Sequence, residues 1–357
     1  MLTYPIKLTY HVRSYYFGER LIPEMLGKRD APEGIVAETW EISDYRETTG
    51  HITNGEYAGG TLHDLVQEFP DELVGRDWSG LHFPILLKFL DASHMLPVHL
   101  HAEDETAQRK HGQPHGKTEA WHILWAEPGA TILAGIKDDP TREELFEAFK
   151  AQDYDSVMPR HEITVGDTVY VPGGILHTFG PDTLIIEVQQ TSDLGQFVMP
   201  TDLYGNRLSE EEWDANIKAT LDELKTDYLP RPNPGLVLED GPNRRVLCCA
   251  GPHFALERWR LATPHTEPSH PDRFVTLSNV GDAAVEIEHG GGSETLGRAE
   301  SRVLPAAIGE MRVVPGAAGE TSLVACYVPD LRRDVVEPLR EAGYSDEEIR
   351  GLGEVEA

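Results

Sequence analysis

The sequence is poor in cysteine, in basic residues and in long apolar stretches. Its 3 cysteines include the adjacent pair Cys248 and Cys249, and so few thiols indicate neither a disulfide framework nor a thiolate metal site. No apolar run approaches the roughly 18 residues that a transmembrane helix requires. The first residues also lack the basic head and apolar core of a secretory signal. We therefore predict a cytoplasmic protein that makes no contact with membranes.

Acidic residues outnumber basic ones by two to one. The chain has 61 aspartates and glutamates against 31 lysines and arginines, for a formal charge of -30. Such a negative field repels phosphate polyanions, which disfavours nucleic acid and anionic membranes as partners. An anionic small molecule would need a local basic cluster in order to bind. The composition does not indicate an oligomeric state.

Short apolar segments separated by glycine and proline are abundant, and they predict a mainly β protein. The runs 83–90 and 98–101 are strand-like, and a polar excursion at 102–115, predicted to be an inserted loop, follows them. Capping residues and apolar spacing predict helices at 61–69, 141–151, 209–228 and 344–352. Beyond a proline-rich linker at 229–235, six further strand candidates predict a second small β-barrel or sandwich: 254–261, 274–279, 284–289, 300–304, 311–314 and 322–328.

Four residues have the pattern of a metal site in the first half of the chain. His99 and His101 are two apart in a predicted strand, so both imidazoles point to the same face. Glu119 would add a carboxylate oxygen from a neighbouring strand, and His177 would add a third imidazole from a hairpin partner. Three nitrogens and one carboxylate suit zinc, iron(II), manganese, cobalt or nickel, and the pattern does not choose among these ions.

The residues around His177 resemble the second motif of the cupin superfamily. Gly166, Pro172, Gly174 and His177 have the spacing of that motif, which starts a strand, bends it into a hairpin and returns the histidine to the barrel interior. The asparagine that usually follows is Pro181 here. The His99-x-His101 pair resembles the first motif, with its glutamate delayed by the polar excursion.

Six segments occur in the order expected of type I mannose-6-phosphate isomerases, especially the short bacterial form: 37–43, 83–92, 99–105, 116–121, 170–177 and 187–193. The resemblance is specific over about 15–205 and weaker beyond 245. It implies an enzyme of carbohydrate metabolism, a zinc-dependent aldose-ketose isomerase, whose partner is a sugar or sugar phosphate. It also implies a catalytic, metal-binding cupin domain at 1–235, a second cupin-like domain without a metal motif at 236–330, and a helical tail at 331–357.

The resemblance assigns roles to individual residues. It places zinc ligands at His101, Glu119 and His177, with His99 standing where the family often has a glutamine. It also places a substrate-associated lysine at Lys117 and an acidic pocket residue at Glu187. The expected reaction interconverts mannose 6-phosphate and fructose 6-phosphate through a cis-enediol, with Lys117 and Glu187 as catalytic residues.

One position departs from the family pattern. Family members carry a catalytic arginine ten residues after the pocket glutamate, where this chain has Phe197. A phenyl ring offers neither charge nor donor, and Arg109, Arg160 and Arg207 are the possible substitutes. The departure leaves three alternatives to the phosphosugar isomerase: an isomerase of an unphosphorylated sugar, a regulatory cupin that binds a sugar, and another metal cupin enzyme such as an epimerase or dioxygenase.

Overall fold

Antiparallel β-sheets form most of the protein, as seen in a computed structural model that describes residues 2–317 and 321–357. The first half contributes eleven strands, β1 to β11: His11–Arg13, Glu38–Ile42, Ile85–Ala92, His99–Leu100, Glu119–Ala126, Thr131–Ala134, Arg160–Glu162, Thr168–Val171, His177–Phe179, Thr183–Gln190 and Gln196–Phe197. They form a six-stranded sheet in the order β1-β2-β3-β10-β5-β8 and a five-stranded sheet in the order β11-β4-β9-β6-β7. The chain passes repeatedly from one sheet to the other, as in a jelly roll.

The second half repeats this arrangement with strands β12 to β21: Leu236–Asp240, Asn243–Ala250, Ala255–Arg260, His265–Glu267, Val275–Asn279, Val285–His289, Gly292–Leu296, Ser301–Leu304, Met311–Val314 and Ser322–Tyr327. Their sheet orders are β12-β13-β14-β21-β16-β19 and β15-β20-β17-β18. Two sheet pairs with matching order confirm the predicted fold class, a mainly β chain with two cupin-type barrels. All six predicted strands of this half are present, and β12, β13, β15 and β18 were missed.

Eight short α-helices decorate the barrels: α1 to α8 are Leu21–Met25, Leu62–Glu68, Pro70–Leu73, Asp104–Thr106, Arg142–Ala151, Glu210–Leu221, Glu337–Glu341 and Asp346–Arg350. Single helical turns of other types lie at Arg46–Thr48, Ala107–His111, Tyr154–Ser156, Ala306–Ile308 and Leu331–Val336. The four predicted helices are present, and each begins with a capping box, at Thr61, Thr141, Ser209 and Ser345. None of the described helices is long and apolar enough to cross a membrane.

Two local predictions were wrong. The predicted helix at 209–228 ends at Leu221, because the chain then turns to cover the barrel: the Lys225 backbone donates to Gly174 O at 2.9 Å and its ammonium pairs with Glu103 at 2.6 Å. The polar excursion at 102–115 is not a simple loop, since most of it winds into helical turns.

Buried side chains join the two halves. Phe83 and Phe274 belong to one hydrophobic core, with ring centroids 4.5 Å apart. The N-terminal segment bridges to the second half at Ile6 and Val303. The predicted linker is also anchored, since Asn233 and Thr168 exchange two backbone hydrogen bonds.

We expect Phe274→Ala to lower the free energy of unfolding by about 3–5 kcal/mol, because it leaves a cavity at the contact between the two halves. Leu81→Ala, at a side chain that is 64% exposed, serves as the control and should change this energy by less than about 0.5 kcal/mol. Urea denaturation followed by tryptophan fluorescence measures both. Equal effects of the two variants would contradict the shared core.

A glutamate two residues before a tryptophan recurs three times inside the barrels. In each pair the indole Nε1 donates to the carboxylate, at 2.7 Å, 2.8 Å and 2.7 Å for Glu38 and Trp40, Glu119 and Trp121, and Glu257 and Trp259. The second barrel also surrounds Glu257 with Arg245 and the Tyr327 hydroxyl. The interior of that barrel is therefore occupied by a paired, hydrogen-bonded carboxylate.

Candidate active site

The three predicted histidine ligands meet inside the first barrel. β4 and β9 are neighbours in the five-stranded sheet, with His99 opposite His177, and His101 follows on the same face as His99. All three side chains are buried. The Nε2 atoms of His99 and His177 are 3.2 Å apart, and the three rings offer ligand atoms that all lie within 4.8 Å of one another.

The opposite ring nitrogen of each histidine is fixed by a backbone carbonyl. The Nδ1 atoms of His99, His101 and His177 lie 2.7 Å, 2.5 Å and 2.8 Å from the carbonyl oxygens of Pro97, Leu194 and Ile175. Because a carbonyl oxygen only accepts hydrogen bonds, each Nδ1 carries the proton. Each Nε2 therefore presents a lone pair to the barrel interior, which is the arrangement that metal-binding histidines adopt.

Burial keeps the rings of His99 and His101 neutral. The pKa of His101 is lowered to about 3, because burial disfavours the imidazolium and Lys117 repels it. The pKa of His99 falls well below its usual range, again through burial and then through repulsion by His177 and His101. Neutral imidazole is the form that binds a metal ion.

Glu119 completes the group from the facing sheet. We expected Glu119 on a strand next to the histidine strands, but β5 lies between β10 and β8 in the other sheet. The Glu119 side chain therefore reaches across the barrel. Glu119 Oε1 is 3.1 Å from His177 Nε2, and Oε2 is 3.1 Å from His101 Nε2. Burial alone would raise the pKa of this carboxyl, but Lys117 and the histidines lower it well below its usual range.

The chemistry of these donors fits a divalent metal ion. Two ligands of a tetrahedral ion that binds nitrogen and oxygen at roughly 2.0–2.1 Å lie about 3.3 Å apart. The observed separations of 3.1–3.2 Å are close to that value. Without a cation between them, the lone pairs of His99 and His177 would face each other. His99, His101, Glu119 and His177 can therefore hold one ion.

Lys117 and Glu187 lie beside this group. Lys117 Nζ is 2.8 Å from Glu119 Oε2 and 3.6 Å from Glu187 Oε1. Burial and the charge of Glu119 raise the pKa of Glu187 to about 8, although Lys88 and Lys117 oppose the shift. Glu187 Oε1 accepts no hydrogen bond. A buried carboxyl with such a pKa can exchange a proton near neutral pH.

Sequence reasoning missed three further charged residues of the site, Glu38, Lys88 and Asp193. Lys88 Nζ is 3.1 Å from Glu38 Oε1 and 3.3 Å from Glu187 Oε1. Burial would lower the pKa of Lys88, but Glu187 and Glu38 raise it above its ordinary value, so the ammonium persists. The sequence did contain a signal for Lys88, because it lies inside the apolar strand β3 and a lysine is rarely buried without a charged partner.

A cavity of about 150 Å³ is lined in part by the charged side chains of Glu38, Lys88, Lys117 and Glu187. Phe197 forms one wall, where its ring stacks on His99 with centroids 5.4 Å apart and an interplanar angle of 22°. Lys88 and Lys117 are the cations in the lining of this cavity, and no arginine from the described part of the chain is in it. Of the three proposed substitutes, Arg160 is engaged by Asp155 and Thr131, and Arg109 and Arg207 lie outside the lining.

The chain resembles known isomerases in sequence and in structure. It is 35% identical over 234 residues to the mannose-6-phosphate isomerase ManA of Bacillus subtilis, covering 65% of this chain and 72% of that protein. It is 25% identical over 309 residues to the probable mannose-6-phosphate isomerase GmuF of the same organism, covering 87% and 96%. No protein-family model matches the chain.

A crystal structure of mannose 6-phosphate isomerase from Bacillus subtilis has the same fold. It superimposes with a TM-score of 0.79 at 22% identity, over 90% of this chain and 99% of that one. At this identity the superposition is evidence for the fold, and the sequence relationship to ManA is evidence for the family. The two-barrel chain, with its histidine group in the first barrel, therefore belongs to the mannose-6-phosphate isomerase family.

Proposed function

We propose that this protein is a metal-dependent aldose-ketose isomerase that interconverts mannose 6-phosphate and fructose 6-phosphate. The observation that carries the proposal is the convergence of three buried imidazoles and Glu119 beside Glu187, a buried carboxyl able to exchange protons. The cavity holds both groups within reach of one small molecule. The relatives named above are a mannose-6-phosphate isomerase and a probable one, which supports mannose 6-phosphate as a substrate.

The reaction moves a proton between C2 and C1 of the open-chain sugar. In the proposed mechanism Glu187 removes the C2 proton and returns it to C1, while the hydroxyl proton on O2 passes to O1; the pKa of Glu187, about 8, suits both directions of its transfer. Lys117, whose Nζ lies 3.6 Å from Glu187 Oε1, supplies a positive charge to the enediolate oxygens. Lys88 and Glu38 position Glu187 on its other side.

We propose that the resident ion is zinc, held by His99, His101, Glu119 and His177. Imidazole and carboxylate ligands at near-tetrahedral spacing favour zinc, although iron(II), manganese, cobalt and nickel bind the same donors. A bound divalent ion would stabilise negative charge that develops on the sugar oxygens. Because His99 is neutral and Glu119 is ionised, these two ligands can bind the ion without first releasing a proton.

A specific observation favours a second candidate, an isomerase of an unphosphorylated sugar. Phe197 places an apolar ring at the wall of the cavity where the family pattern has an arginine. The guanidinium of Arg13 stacks on Trp40 at 4.6 Å and lies outside the cavity lining. A phosphate would depend on Lys88 and Lys117, both already engaged by glutamates.

Replacing Phe197 with arginine separates the two candidates. If the substrate carries a phosphate, the new guanidinium should raise kcat/KM for mannose 6-phosphate about tenfold or more, the factor that about 1.4 kcal/mol of added binding gives. Phe197→Leu is the matched control and should show no gain. Equal kinetics of the two variants, together with turnover of free mannose by the wild type, would support the unphosphorylated substrate instead.

The reaction itself is tested by NMR on the metal-loaded protein, with mannose 6-phosphate, mannose and a few other aldoses as substrates. We expect mannose 6-phosphate to be converted into fructose 6-phosphate. If the loaded protein isomerises no aldose, the enzymatic assignment fails, and a sugar-binding regulatory cupin becomes the better account.

We retain two further proposals from the sequence. The division into 1–235, 236–330 and 331–357 agrees with the sheet pairs, although the N-terminal segment contacts the second barrel at Val303. A cytoplasmic location is supported by Cys248, Cys249 and Cys326, which are buried free thiols.

A further inference from the structure

A second group of metal-ligating side chains lies outside the barrel cavity. Asp44 follows β2 by two residues, His63 lies in the first turn of α2, and His82 precedes β3 by three residues. Each offers one ligand atom, and these atoms all lie within 4.8 Å of one another. His63 Nδ1 is 3.0 Å and 3.2 Å from the two oxygens of Asp44, and His82 Nδ1 is 3.6 Å from Oδ2.

Asp44 is a buried carboxylate whose neighbours are imidazoles instead of a fixed cation. It is 1% exposed, and no lysine or arginine of the described chain forms an ion pair with it. The backbone N–H of Phe83 donates to Oδ2 at 2.9 Å and so fixes the orientation of the carboxylate. A buried carboxylate is ordinarily paired with a cation or coordinated to a metal. Since no lysine or arginine of the described chain pairs with Asp44, a metal ion bound between the carboxylate and the two imidazoles could fill this role.

His82 gives the second, independent observation. Its Nδ1 is buried and makes no hydrogen bond, although it faces the carboxylate of Asp44. A buried polar atom without a partner is rare in a folded protein and calls for an explanation. A cation bound to Asp44 would give this nitrogen a partner, and the same ion would replace the proton that His63 shares with Asp44.

The spacing and exposure of the three side chains fit a transition-metal ion. Distances of 3.0–3.6 Å bracket the separation of about 3.3 Å expected between two ligands of a tetrahedral ion. The side chains of His63 and His82 are 41% and 31% exposed, so the open side admits the ion and one water ligand. Two imidazoles with one carboxylate favour zinc, cobalt or nickel over magnesium and calcium, which prefer oxygen ligands.

We propose that Asp44, His63 and His82 form a second divalent-metal site, separate from the one in the barrel cavity. An ion there joins α2 to the ends of β2 and β3, the paired strands that carry Glu38 and Lys88 into the cavity. It has a supporting role in the structure, since Asp44, His63 and His82 are not among the residues that line the cavity.

The number of bound ions tests the proposal. The full-length protein is stripped with a chelator, dialysed against buffered Zn²⁺ and analysed by elemental mass spectrometry. We expect two zinc ions per chain in the wild type, one in His63→Ala, one in His82→Ala and one in His177→Ala, which loses the other ion. His51→Ala, which removes an exposed histidine outside the group, is the matched control and should keep two.

Thermal unfolding provides a second readout. An ion that binds only the folded state raises Tm, so Zn²⁺ should raise the Tm of the His177→Ala variant but not that of the His63→Ala, His177→Ala double variant. The same ion count in His63→Ala, His82→Ala and the wild type would overturn the proposal, whether the wild type holds one ion or two. His82→Gln replaces His82→Ala if the latter does not fold. Because the readout is metal content, it remains decisive if the isomerase assignment fails.

Discussion

Replacing His177 with alanine should remove the metal ion from the barrel cavity and lower kcat/KM for mannose 6-phosphate by roughly 10³-fold or more. His177 Nε2 lies 3.2 Å from that of His99 and 3.1 Å from a Glu119 oxygen, so its loss takes one of the four ligands away and weakens the binding of the ion. An ion that stabilises developing negative charge contributes several kcal/mol, and each 1.36 kcal/mol is tenfold in rate. Coupled assays of turnover and metal analysis of the same sample measure both effects.

His122→Gln is the matched control for this variant. His122 is also buried but does not belong to the group of three histidines, and its Nδ1 meets the Thr168 hydroxyl at 2.8 Å. It should retain the ion and activity close to that of the wild type. A His177→Ala variant that keeps full activity, or a control that loses as much, would mean that the histidine group is not the reaction centre.

Glu187→Gln should lower kcat by roughly 10²–10⁴-fold, the usual contribution of a general base, while KM and the metal content change little. The amide has nearly the same shape but cannot take up the C2 proton. The base acts in its ionised form, so the wild-type rate should fall as the pH falls through the pKa of Glu187, which burial raises. The variant should lack this pH dependence, and steady-state kinetics across pH measure it.

An exposed glutamate on α5 provides the comparison, since Glu143→Gln should leave both kcat and its pH profile unchanged. If Glu187→Gln instead raises KM without lowering kcat, the residue binds the sugar and another group moves the proton. A variant that loses the ion as well would indicate that Glu187 acts by supporting the metal ligands.

The sequence was sufficient where local spacing determines geometry. The pair His99 and His101, two apart in a strand, had to share a face, and the turn pattern ending at His177 predicted its return to the barrel interior. The four helix starts could be recognised from a serine or threonine followed three residues later by an acidic residue. These predictions were confirmed because few contacts outside the segment decide them.

The rest depends on pairing between distant segments. Glu119 was expected beside the histidine strands, but sheet order places β5 on the facing sheet, which no local pattern encodes. Glu38 and Lys88 become site residues only because β2 pairs with β3. The grouping of Asp44, His63 and His82 has the same origin, since two loops and the first turn of α2, at unrelated spacing in the sequence, bring them together. The end of α6 was misjudged because tertiary contacts of Lys225, not propensity, decide it.

The most direct test of the account follows mannose 6-phosphate by NMR while zinc is returned to the stripped protein. The account predicts no conversion before zinc is added, appearance of fructose 6-phosphate as the cavity site fills, and no recovery in His177→Ala under the same titration. Full conversion by the stripped wild type, or none after the histidine group of the cavity is shown to hold its ion, would contradict it.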